Sequence, residues 1–130
     1  MIWLGSGKPG NEAMFATLRA HAAPIAVFVL ANAFMEELLF RGLFLAQLRE
    51  RTGGVLAVTA TSLAFALAHV NVGYETPDAL LGFLAVVLVL GVLWGATMLA
   101  TRSLLASVLF HAGADVVIAA EVFKYFGALS

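Results

Sequence analysis

One stretch of this chain limits the folds open to it more than any other. From Pro24 to Leu48 the residues are apolar except for Asn32, Glu36, Glu37, Arg41 and Gln47. Such a run can cross a hydrocarbon core of about 30 Å, which takes roughly 20 residues at about 1.5 Å each. At its middle stands Met35-Glu36-Glu37-Leu38-Leu39-Phe40-Arg41, with two adjacent carboxylates and a guanidinium. An Asp or Arg at the centre of a spanning helix costs about 2.5–3.5 kcal/mol on insertion scales, so such groups face one another or a wet cavity.

Composition extends the membrane reading to the whole chain. Of 130 residues, 62% are hydrophobic and 12% charged, against about a quarter charged in soluble domains. Mean hydropathy is +1.00. The fold class expected is all-α, a polytopic transmembrane bundle of about four spanning helices in one domain. A net charge of −1 gives no electrostatic case for nucleic acid. The chain has no cysteine, which excludes disulfides and thiolate metal sites.

Residues 1–21 form a mixed lead-in, and residues 22–130 form the core. Gly5 to Asn11 is turn material, and Glu12 to His21 suits a short interfacial helix or a poorly ordered lead-in. The lead-in lacks the apolar core of a signal peptide, so no cleavage is expected. The first span is expected over about Pro24 to Leu48 and the second over about Val55 to His69, short for the bilayer. Asn71 to Asp78 reads as a loop, with Thr76 or Asp78 as a cap and Pro77 in the first turn. A third span without charge covers about Ala79 to Ala100, and its Gly91-x-x-x-Gly95 reads as a helix-packing face. Thr101-Arg102-Ser103 is a tight turn, and a fourth span covers about Ser103 to Phe126. Three basic residues fall on each side (Arg49, Arg51 and Arg102 against Lys8, Arg19 and Lys124), which leaves orientation open.

Ionisable residues inside the spans pair at helical spacing. Glu37 and Arg41 are four apart, as are His111 and Asp115, and His69 follows Phe65 by four; such residues share a helix face. Measured from the Leu48/Val55/Ser103 side, Glu36 lies ~18 Å deep, His69 ~21 Å, His111 ~12 Å and Asp115 ~18 Å. Separate segments thus bring polar groups to one level. Glu37 with Arg41 is explained either as a neutralising ion pair or as part of a site. His111 with Asp115 is either a self-satisfied pair or part of a site, and His69 is either interfacial or functional. Glu36 has no cation on its own face, only Asn32 one turn earlier, and is the strongest candidate. Phe65 reads as a wall residue, His21 as interfacial and Glu121 as solvated.

A carboxylate withdrawn from water can take a proton near neutral pH. Two histidines and a second acid can bind a developing oxyanion or a metal. These are the parts for splitting a peptide bond with activated water. His69, His111 and Glu36 would satisfy one divalent metal such as zinc, and a metal-free arrangement would serve equally. Ser107-x-x-x-His111-x-x-x-Asp115 has the composition of a triad, but on one helix Ser107 is expected to bond back to a carbonyl one turn earlier. His-Glu-x-x-His is absent.

Glu36-Glu37-x-x-x-Arg41, Phe65-x-x-x-His69 and His111-x-x-x-Asp115, in this order on successive helices, resemble the three motifs of the CPBP family. These are the CAAX-protease and bacteriocin-processing (Abi) intramembrane endopeptidases, which include the CAAX prenyl endopeptidases. The resemblance covers about residues 24 to 120. It implies an all-α, multi-pass intramembrane protease, expected in a prokaryotic plasma membrane, with its site in a cavity open to one side. By residue it implies Glu36 as the base activating water, His69 as its helper, His111 and Asp115 as the pair holding the oxyanion, and Glu37 and Arg41 in support. Implied partners are membrane lipid and a peptide or protein substrate, C-terminally prenylated in one branch. The third motif often ends in Asn where this chain has Asp115. A carboxylate is the better metal ligand and the poorer oxyanion donor, which favours a metal. The chain is also shorter than most members, so a minimal form or a fragment is expected.

Two rival readings use the same residues. A non-enzymatic membrane protein for bacteriocin immunity or partner binding would use the polar pairs only to hold helices together. An ion or proton carrier would use Glu36 and Asp115, but the inverted repeat common in transporters is not visible.

Overall fold

The computed structural model describes residues 11–71 and 76–127, with the side chains at 11, 13, 14 and 121–127 left aside. Of the turn expected over Gly5 to Asn11, Asn11 begins α1 and the rest lies outside the described residues, as do the centre of the loop before Thr76 and the side chain of Glu121. Among the described residues every regular element is helical. The order is α1 (Asn11–Ala20), α2 (Ala22–Glu37), a π-helical stretch (Leu38–Leu45), α3 (Ala46–Thr52), α4 (Gly54–Ala68), α5 (Pro77–Thr101) and α6 (Leu104–Gly127). α2, the π stretch and α3 form one unbroken rod, Ala22–Thr52, and this rod and α5 are long and apolar enough to cross a membrane. The apolar helices Gly54–Ala68 and Leu104–Ala120 are shorter.

Local chemistry sets the ends. Gly53 separates α3 from α4 at φ 84°, a left-handed conformation that a glycine adopts without strain. Thr76 caps α5, its hydroxyl accepting from the Ala79 N–H at 3.2 Å, and Pro77 occupies the first turn. Arg102 closes α5 at φ 54°.

Two antiparallel pairs make the bundle. α2 buries Ile25, Val29, Ala33 and Glu37, one residue per turn. α6 answers with Ser107, His111, Asp115 and Ala119 on the same spacing. These stripes run in opposite directions, so Asn32 meets Asp115 while Glu37 meets His111 and Ser107. α4 and α5 pair through small residues. A Cβ on Gly91 would stand 3.2 Å from Ser62 Cβ, and one on Gly95 would stand 3.1 Å from Val58 Cγ1. The glycine pattern is therefore a close-packing face, and a Cβ on Gly91 would also stand 3.3 Å from Arg41 Nη2.

The distribution of polarity is inverted relative to a soluble protein. Glu37, Arg41, Thr61, Ser62, Ser107, His111 and Asp115 are buried, while Val27, Phe28, Phe34, Met35, Leu81, Val89 and Leu105 are exposed. A surface of this kind matches lipid, and Glu37, Arg41, Thr61, Ser107, His111 and Asp115 find partners inside. The fold is an all-α helical membrane bundle.

The π-helical stretch was not expected. Leu38–Leu45 buries Phe40, Arg41 and Leu45, so inward positions fall at spacings of four and five rather than three and four. Short π segments are rare and recur at functional sites.

Candidate active site

The paired carboxylates point to different places. Glu37 is fully buried on the stripe facing α6. One of its oxygens, Oε1, lies 2.9 Å from Arg41 Nη1 and 3.0 Å from His111 Nδ1, and Oε2 accepts from the Ser107 hydroxyl. Glu37 is thus a hub joining the α2 rod to α6, beyond the in-helix pairing with Arg41 that spacing foretold. Ser107 does not bond back within its own helix. Its oxygen lies between Glu37 and the carbonyl of Trp94, 3.1 Å away.

Arg41 is fully buried. It donates to the Gly91 carbonyl at 2.8 Å, and its guanidinium lies 4.7 Å above the Phe65 ring. The bond to Gly91 joins the rod to α5, so Arg41 connects three helices.

Glu36 sits about 100° round the helix from Glu37, at the edge of the buried region and 26% exposed. Its Oε2 lies 3.5 Å from His111 Nε2 and its Oε1 lies 3.9 Å from His69 Nε2. On its outer side is an apolar groove of about 500 Å³ lined by Met35, Glu36, Leu38, Leu39, Gly42 and Leu43.

Both imidazoles are oriented by their neighbours. His69 caps α4, and its Nδ1 lies 2.8 Å from the Phe65 carbonyl. A carbonyl oxygen only accepts, so Nδ1 carries the hydrogen and Nε2 turns to Glu36. His111 is 2% exposed. Its Nδ1–H goes to the Glu37 carboxylate, which leaves Nε2 facing both Glu36 Oε2 and Asp115 Oδ1, each at 3.5 Å. Asp115 is held through its other oxygen by Asn32 Nδ2 at 3.0 Å. Aromatic rings close the space: Phe65 stands edge-on to Phe40, Trp94 and His111 and tilts against His69.

All the sequence candidates therefore meet in one region. Glu36, His69, His111 and Asp115 surround a common space, while Glu37 and Arg41 lie behind it. Sequence reasoning passed over Trp94 and the role of Ser107. The i, i+3, i+4 set Gly91, Trp94 and Gly95 places Trp94 on the inward face of α5, and the i, i+4 relation of Ser107 to His111 places it on the face of α6 that meets Glu37.

The site's donors have the chemistry of a zinc ligand set, two imidazole nitrogens and a carboxylate. Among the described residues no three His, Asp or Glu side chains converge on a point that would hold a metal. Glu36 reaches the two imidazoles through different oxygens, and Asp115 is tied to Asn32.

A family model described as Type II CAAX prenyl endopeptidase Rce1-like matches residues 18–117, well over half of the chain. No curated protein matches the chain, and no solved structure does.

Proposed function

The chain belongs to the type II CAAX prenyl endopeptidase Rce1-like family, and we propose that it hydrolyses a peptide bond with water activated by Glu36 and His69. Membership makes it a CAAX-type intramembrane endopeptidase in general terms. The observation that carries the finer reading is the position of Glu36. It is a carboxylate with no lysine or arginine in contact, set between two histidines beside an apolar groove.

Glu36 Oε1 and His69 Nε2 are two acceptors 3.9 Å apart. The group that suits both is a donor of two hydrogens, a water. Glu36 takes one proton, and the hydroxide adds to the carbonyl carbon of the scissile bond. The oxyanion takes a hydrogen bond from His111 Nε2–H, whose ring is fixed by Glu37 at Nδ1. As the C–N bond breaks, Glu36 passes its proton to the leaving amine. Asp115 steadies His111 and is itself steadied by Asn32. Glu37 and Arg41 hold the two histidine-bearing helices against the rod.

The substrate in this reading is a peptide reaching Glu36 along the lipid-facing groove, with a C-terminal prenyl group as one form and an unprenylated, bacteriocin-type peptide as the other. The chain crosses the membrane four times, which puts both termini on one side. The reading needs no metal.

The test is cleavage by the purified protein in detergent or liposomes, with matched prenylated and unprenylated peptides. Glu36→Gln loses cleavage and keeps the thermal transition of the wild type; full activity in that variant ends the proposal. Chelators leave the wild-type rate unchanged. Inhibition reversed by zinc would instead put a metal on Glu36, His69 and His111. Wild-type protein that cleaves nothing, with Glu36→Gln retaining immunity or partner binding, would favour the non-enzymatic reading.

A further inference from the structure

We propose that Trp94 is a positioning residue for His111, an inference that rests on the hydrolytic reading of the site. α5 has no ionisable residue between Ala79 and Ala100, yet it delivers this indole, 2% exposed, against the most buried imidazole. The two rings are nearly parallel, with centroids 3.7 Å apart and planes at 13°. Neutral aromatic pairs prefer offset or edge-on contacts, as Phe65 makes with both rings at 85°. A face-on stack is the geometry in which an indole supports a positively charged ring. That is the form of His111 that donates from Nε2 while Nδ1–H stays on Glu37.

The hydrogen bond to Glu37 alone fixes one atom of the imidazole and leaves its plane free to tilt about that contact. Trp94 on the flat face and Phe65 at the edge remove this freedom. Nε2 is then held toward Glu36 and Asp115. The backbone of the same residue helps, since the Trp94 carbonyl lies 3.1 Å from the Ser107 hydroxyl that serves Glu37. The ionisable groups facing the imidazole come from the rod (Glu36, Glu37, with Arg41 behind) and from α6 (Asp115), while His69 of α4 faces it across Glu36.

The test uses the full chain in detergent. Trp94→Leu lowers kcat by about 10- to 100-fold, the usual loss when a group that orients a reacting side chain is removed, with KM little changed. Trp94→Phe restores a flat face and recovers most of the kcat. A merely structural Trp94 would instead lower activity only in step with the folded fraction. A second readout does not need activity. In a Trp3→Phe background Trp94 is the remaining tryptophan, and its emission rises on His111→Leu because a stacked imidazole quenches indole. Emission unchanged by His111→Leu, or wild-type kcat in Trp94→Leu, overturns the inference while the assignment of Glu36 stands. A wild-type protein that cleaves neither peptide overturns the hydrolytic reading, and the role of Trp94 with it.

Discussion

Glu36 and Glu37 are neighbours in sequence, and the structure predicts opposite consequences for the same substitution. Glu37→Gln keeps size and removes charge. Arg41, fully buried, then retains the Gly91 carbonyl at 2.8 Å as its hydrogen-bond acceptor and has no counter-charge within contact. Breaking one partner of a buried ion pair costs about 3–5 kcal/mol. The amide also brings an N–H₂ to where Ser107 and His111 donate and the Arg41 guanidinium stands 2.9 Å away. Loss near the upper end of that range is expected. Adding Arg41→Met to Glu37→Gln removes the stranded charge and recovers a large part, because residues in contact couple non-additively. Glu36→Gln changes stability by less than about 1 kcal/mol, since a partly exposed ion pair with long contacts contributes little, and its imidazole partners stand at 3.5 and 3.9 Å. Unfolding in mixed micelles titrated with a denaturing detergent measures all three variants. The division of roles is refuted if Glu37→Gln stays within about 1 kcal/mol of wild type, or if Glu36→Gln falls as far as Glu37→Gln.

The remaining expectations concern the contacts that bring the helices together. Gly91→Ala places a Cβ 3.2 Å from Ser62 Cβ and 3.3 Å from Arg41 Nη2. Overpacking of this kind costs about 1–3 kcal/mol, offset by up to about 1 kcal/mol of helix propensity. Activity falls with it because Arg41 must move. Gly95→Ala meets the Val58 methyls at 3.1 and 3.3 Å, so it lowers stability similarly and leaves more activity; equal loss of activity at matched stability would count against a role for Arg41. Asn32→Leu breaks the 3.0 Å bond to Asp115 and costs about 1–2 kcal/mol, the low side for a bond to a charged group because the pair is half-buried. The swap Asn32→Asp with Asp115→Asn rebuilds the same bond with donor and acceptor exchanged, and should regain that stability. Failure to do so would show that the pair contributes through something other than this bond.

The parts of the molecule legible in the sequence were those fixed by local rules. Apolar run length placed the long helices within a few residues: the rod begins at Ala22 and runs on to Thr52, and α5 spans Pro77–Thr101. The turn chemistry of Gly53, Thr76 with Pro77, and Arg102 placed the breaks. Spacing of four named Glu37–Arg41 and His111–Asp115, and the cost of intramembrane charge implied that all of them converge. What spacing cannot show is which residues of one helix meet which of another. Glu37 accepting from His111 and Ser107 depends on the register of α2 against α6, set by the whole buried stripe rather than by either motif. Trp94 was hidden for a different reason: in a helix without charge an aromatic residue carries no polar signal, and its importance lies in a partner on α6. The π stretch was hidden because nothing in Leu38–Leu45 forbids an α-helix. In it Arg41 stays paired with Glu37 while Phe40 and Leu45 are also buried, next to the residue on which catalysis is proposed to depend. The two adjacent glutamates are thereby separated by packing: one is enclosed as the joint between helices, and its neighbour is left at the groove with two imidazoles before it.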